Sequence, residues 1–284
     1  MAILADSNHS TRLLVFILLF IMSMPGLARA GADARDLAPA TANQALFATE
    51  LPAEYGQVIY QSKPLSEQRI YIIGQSHRSS LTGKSGPKTI QSQAEIYRIG
   101  EWLIEQKNVE LLLPEGFFKR SSSAQAPQRN TEPVARFALA TAALKEQLGN
   151  PEQFVNADLL LSSNYNLCLS QIEDESLYRD IGQVLAKLQQ DRNFATLCDL
   201  NRLQEQRTLK ILQNIPRAVE NAFHAGQISS RKAIFTIGLA HIKDIIATLE
   251  SASSWAEDYG VTIIIPRALL DSQRIARLAS SQGQ

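Results

Sequence analysis

The chain has 284 residues, 45% of them hydrophobic and 20% charged, enough for one large globular domain or one domain with an insertion. Lys plus Arg equals Asp plus Glu at 28 each, and no run of Lys and Arg interrupts that balance. This excludes a general electrostatic drive toward nucleic acid or an acidic membrane, so no nucleic-acid partner is expected.

The first 30 residues read as a secretory signal peptide. Leu13 to Met24, "LLVFILLFIMSM", is apolar apart from Ser23, and Arg12 precedes it. Ala28 and Ala30 supply the small residues of a cleavage site. The apolar run is shorter than the roughly 20 residues of a membrane-spanning helix, although an uncleaved anchor is the alternative. Cleavage after Ala30 gives a periplasmic or secreted chain with no stable membrane span. It retains Cys168 and Cys198, which either pair as one disulfide or stay as two buried thiols.

Residues 31–56 form a flexible lead-in to a single domain over 57–284. Arg69 to Gly74 is a buried strand, Thr89 to Lys107 a helix, and Val109 to Leu113 a second strand. Strand, helix and strand in so short a span predict a right-handed βαβ unit with parallel strands. From Phe118 to Pro133 the chain is polar and reads as a mobile loop or lid. Helices are expected over Val134–Leu148, Glu173–Gln190 and Leu197–His224, the last bent or broken near Pro216. A strand over Ala233–Ile237, a helix over Ile242–Ser251 and a strand over Val261–Ile265 complete a second βαβ half. The expected fold is α/β or α+β. A central, mainly parallel sheet is flanked by helices, with a helical insertion over about 133–225 as a cap.

Three polar groups stand just past apolar strands. His77 follows "IYIIG", Glu115 follows "VELLLP", and His241 follows "AIFTIG". Ligands of open parallel sheets bind outside the carboxyl ends of the strands, so parallel neighbours would bring these groups together. Gly74 and Gly238 fit sharp turns off the strands. Two imidazoles and a carboxylate can hold a first-row divalent metal such as Mn, Co or Zn, which promotes hydrolysis. The bland readings are an exposed or structural histidine and a helix-capping glutamate. Of the remaining histidines, His9 lies in the signal peptide and His224 suits a helix end. "GQSHR" nearly fits a serine-nucleophile elbow at Ser76, but Arg78 stands where the second glycine belongs. "GKS" at 83–85 lacks the upstream glycine of a phosphate loop.

"IIGQSH", "LLLPEG" and "TIGLAH", in that order, resemble the TraB/GumN/Tiki superfamily, which is related to the erythromycin-esterase and ChaN-like proteins. The resemblance runs over residues 57 to 266. It implies an erythromycin-esterase/ChaN-like fold, with His77, Glu115 and His241 as metal ligands or, for Glu115, a general base. It also implies an Arg before the last motif, for which Arg207 is the better choice and Arg202 the other. That Arg would hold a substrate carboxylate or stabilise an oxyanion. Members of the group include metal-dependent proteases, metal-free lactone hydrolases and haem-binding proteins. The expectation is therefore a metal-dependent hydrolase acting on peptides. The alternatives are a non-enzymatic haem- or peptide-binding protein and a metal-free hydrolase of small molecules. The segment after Glu115, "GFFKRSSSAQ", has no counterpart in that pattern.

Overall fold

The computed structural model describes residues 51–76, 86–119, 140–150, 155–191, 193–251 and 258–270. The expected signal peptide, His77 and most of the expected lid fall outside these residues. Within them the chain runs β1 (Gly56–Gln61), β2 (Arg69–Gln75), α1 (Pro87–Lys107), β3 (Leu111–Pro114), α2 (Thr141–Gly149) and α3 (Ala157–Tyr165). It continues through β4 (Cys168–Leu169), α4 (Glu175–Gln190), α5 (Phe194–His224), β5 (Lys232–Gly238), α6 (Leu239–Glu250), β6 (Gly260–Pro266) and α7 (Arg267–Leu270).

The strands form one sheet in the order β1-β6-β2-β5-β3-β4. Five strands are parallel, and β1 runs antiparallel on β6, with a register shift between Val58 and Tyr60. This is an α/β architecture. The strands β2 and β3 are parallel as expected but are not neighbours, because β5 lies between them. Successive side chains of a strand point to opposite faces. Thus Ile70 and Ile72 pack with α5 and α6 on one face, whereas Tyr71 and Ile73 pack with α1, α2 and α3 on the other. A strand covered on both faces needs apolar residues at every position, hence the unbroken runs of Ile and Leu. Among the described residues no helix is long and apolar enough to cross a membrane.

The stretch between the two halves is not one helical cap. Helices α2 and α3 pack against α1, and the apolar stripe of α5 from Ile211 to Ala222 lies on the sheet's opposite face. Only α4 and the N-terminal part of α5 make a separate cluster, around Ile181, Leu185 and Leu200. Helix α5 is continuous through Pro216 rather than broken there. A mid-helix proline costs about 3 kcal/mol. Burying Ile211, Leu212, Ile215 and Val219 on the sheet is worth about 1.5–3 kcal/mol for each side chain, so packing prevails.

Several boundaries differ from the sequence reading. The lead-in is shorter than expected, since Leu51 is buried and β1 begins at Gly56. Helix α6, expected from Ile242, starts at Leu239, so His241 sits in its first turn rather than before it. Gly74 is inside β2, not in a turn, and a Cβ there would lie 2.7 Å from Ile265 and 2.8 Å from Leu239. Cys168 and Cys198 are not bridged. Cys198 is exposed on α5, and the Cys168 thiol donates to Gln227 at 3.4 Å.

Candidate active site

Glu115 leaves the carboxyl end of β3, and its backbone N–H donates to the Thr236 carbonyl of β5 (3.1 Å). That contact aims its side chain across the end of the sheet. Glu115 Oε2 accepts from the Gly238 N–H (2.7 Å), and Oε1 accepts from Arg207 Nη1 (3.0 Å). Gly238 has an ordinary negative φ of −54°, so conformational freedom does not explain it. Its observed part in the site is this N–H.

Arg207 reaches the same point from α5. Its Nε donates to Glu173 Oε2 (3.0 Å) and its Nη2 donates to Glu173 Oε1, a bidentate pair. Glu173 Oε1 also accepts from the Gly116 N–H (3.0 Å). The side chains of Arg207, Glu173 and Glu115 are 2%, 0% and 6% exposed, so these charges sit almost entirely out of water. Burial opposes the guanidinium charge, but Glu115 and Glu173 outweigh it and raise the pKa of Arg207 above its ordinary value. The Tyr178 ring faces the guanidinium, with its centroid 5.4 Å from the central carbon. Burial raises the Tyr178 pKa, partly offset by Arg207. Among the described residues two carboxylates and one guanidinium meet here.

His241 joins from α6, with Nε2 3.9 Å from Glu115 Oε1. Its Nδ1 lies 2.8 Å from Thr208 Oγ1. The Thr208 hydroxyl proton goes to the Gln204 carbonyl (2.9 Å), so Oγ1 is left to accept from Nδ1–H. In a neutral ring that fixes the lone pair on Nε2, which faces Glu115.

The structure therefore brings together Glu115, His241 and Arg207. His77 lies outside the described residues. Arg202, the other candidate arginine, is exposed and pairs only loosely with Asp199 (3.4 Å). The expected role of Arg207 needs correction. With three N–H groups on carboxylates and 2% exposure, it faces Glu115 and Glu173 instead of open space for a substrate. The near-elbow serine is also turned away. Ser92 donates to the Thr89 carbonyl, so the Ser76 hydroxyl donates to Ser92 (2.9 Å) and not to a histidine.

Sequence reading missed Glu173, Thr208 and Tyr178. Glu173 stands in "EDE", a cluster that reads as solvated surface. Its only signal is the apolar pair Leu169 and Ile172 just before it. Gln204, one turn before Thr208 on α5, contributes its backbone carbonyl, which accepts from the Thr208 hydroxyl.

Two donors on one tetrahedral ion are roughly 3–3.5 Å apart. The 3.9 Å between His241 Nε2 and Glu115 Oε1 needs only a small closure. The Thr208 contact is the outer-shell support that a ligating histidine uses. The pair fits a metal. Among the described residues no third His, Cys, Asp or Glu completes a cluster. Comparison with protein-family models, curated proteins and solved structures finds no match for this chain.

Proposed function

We propose that the chain is an exported hydrolase of the TraB/GumN type, periplasmic or secreted, that cleaves peptides with a divalent metal such as Mn, Co or Zn. The observation that carries this reading is the fixed tautomer of His241, whose Nε2 lone pair looks onto Glu115 Oε1 at 3.9 Å. His241, Glu115 and, from the sequence pattern, His77 would hold the ion. Such an ion supplies carbonyl polarisation and a lowered pKa for water.

The chain's own residues do the rest. Where Glu115 serves as the general base rather than as a ligand, it is the proton acceptor for a water beside Nε2, and two groups hold its carboxylate in place. Gly238 N–H and Arg207 orient the carboxylate, and Glu173 in turn orients Arg207.

One observation favours a second reading. Both oxygens of Glu115 already accept a hydrogen bond, which suits a metal-free site where His241 Nε2 is itself the general base.

The test is metal content of the purified mature protein beside His77→Ala and His241→Ala, with digestion of a peptide library read by mass spectrometry. About one equivalent of metal in the parent, lost in both folded variants together with cleavage, supports the metallopeptidase. Cleavage that persists in chelator supports the metal-free base. A protein with no hydrolysis and a haem Soret band would refute both and leave the binding-protein alternative.

A further inference from the structure

Gly116 to Lys119, "GFFK", follows Glu115 directly and has no counterpart in the TraB/GumN pattern. The fold nevertheless fixes it firmly. The Phe117 N–H donates to the Pro114 carbonyl (3.3 Å), closing a tight turn whose third residue, Gly116, has a φ of 72°. Glycine takes that conformation at no steric cost. The Gly116 N–H donates to Glu173 Oε1 (3.0 Å), and the Lys119 N–H donates to Gln171 Oε1 (2.9 Å). Gln171 Nε2 in turn donates to the Glu173 carbonyl (3.2 Å). Bonds on either side of Phe117 and Phe118 thus tie the turn to the stretch that leads into α4.

What this turn presents is aromatic. The Phe118 and Tyr178 rings meet edge to face with their centroids 5.0 Å apart, a favoured arrangement for an aromatic pair. The Tyr178 ring faces the Arg207 guanidinium, which itself donates to Glu115 Oε1. A Cβ on Gly116 would lie 3.8 Å from the Tyr178 hydroxyl, so the same ring borders the residue after Glu115. Phe117, Phe118 and Tyr178 are each only half-buried, and covering their remaining apolar surface would be favourable.

Ligand sites set a few polar groups in a mostly apolar wall, the polar groups to orient the ligand and the wall to hold it. Here Glu115 and His241 are the polar groups, and the rings stand at their edge. We propose that the Phe118–Tyr178 pair is the specificity wall of the Glu115 site. It receives a large apolar side chain, aromatic or aliphatic, from the peptide residue that flanks the cleaved bond. This names the substrate class of the site and rests on the hydrolase reading.

Binding and cleavage are measured separately. The mature protein is titrated with the N-acetyl amides of phenylalanine, leucine, glycine and glutamate, and binding is followed by saturation-transfer NMR, which needs no turnover. In parallel, the peptide library is scored for the residues that flank each cut. The phenylalanine and leucine probes should bind about tenfold or more tighter than the glycine probe, with the same preference in the cuts. Phe118→Ser should abolish that preference while far-UV circular dichroism stays unchanged, and Phe118→Leu should keep most of it. The parent's own preference decides the question should Phe118→Ser fail to fold. A clear probe preference with no cleavage of any peptide would uphold the wall and overturn the hydrolase reading. No preference among the probes, cuts indifferent to apolar neighbours, or a preference untouched in folded Phe118→Ser would overturn the wall and leave the hydrolase reading standing.

Discussion

Thr208 has one hydroxyl proton and places it on the Gln204 carbonyl, so it meets His241 as an acceptor. Thr208→Val keeps the shape and removes that acceptor. Loss of such outer-shell support typically costs about 10–100-fold in activity or metal affinity. We therefore expect Thr208→Val to lower the rate of peptide cleavage by that range while far-UV circular dichroism stays unchanged, with Thr208→Ser restoring most of it. Equal activity in Thr208→Val would remove the tautomer from the mechanism. At this scale the sequence was informative about residues that follow an apolar strand, Glu115 and His241. It was silent on those brought in sideways. Glu173 sits among acidic neighbours, and Thr208 is an ordinary polar position on a helix. Nothing local marks either as buried, because the sheet end that covers them comes from elsewhere in the chain.

Helix α4 brings Tyr178 to the site, and it starts at Glu175, two residues after Glu173. Asp174 is its N-cap, with the side chain accepting from the Leu177 N–H (3.0 Å) and from the Ser176 hydroxyl (2.5 Å). Those bonds, the Ser176 hydroxyl foremost, hold the Asp174 carboxyl below its ordinary pKa. Asp174→Ala should cost about 1 kcal/mol in urea unfolding at neutral pH. The group is depressed in the folded state, so its stabilisation is present above the unfolded value of about 3.9. It fades as pH falls through the folded value. The gap between parent and Asp174→Ala should therefore stay constant above about pH 5 and close in stronger acid; a gap that widens on acidification would refute the capping account. The strands that sequence reading recovered are those buried on both faces, where Ile and Leu run unbroken. It missed β1, whose "GQVIYQ" mixes polar residues on an edge, and β4, which has only two residues. It also misjudged Pro216, since a local helix cost says nothing of the sheet that α5 covers.

The two helical layers share a single sheet. Ile72 packs into one core and Ile73 into the other, one residue apart on β2. Neither layer can leave without exposing strands that the other still holds. Urea unfolding of the mature protein should accordingly give one transition, with Trp102 fluorescence in the α1 layer coinciding with far-UV circular dichroism dominated by the helices. Separate midpoints would mean that the layers melt independently. The α4 pair with its own small cluster is the one part whose early loss would leave both cores intact.

The margins of the sheet carry a further consequence. A long flat edge strand invites a second chain to add on and propagate into aggregates. Here β4 pairs through two residues, and β1 changes register between Val58 and Tyr60. A bulge of that kind twists an edge away from new partners. A sheet so rich in isoleucine thus keeps its stickiest strands in the middle and shows its neighbours two poor templates.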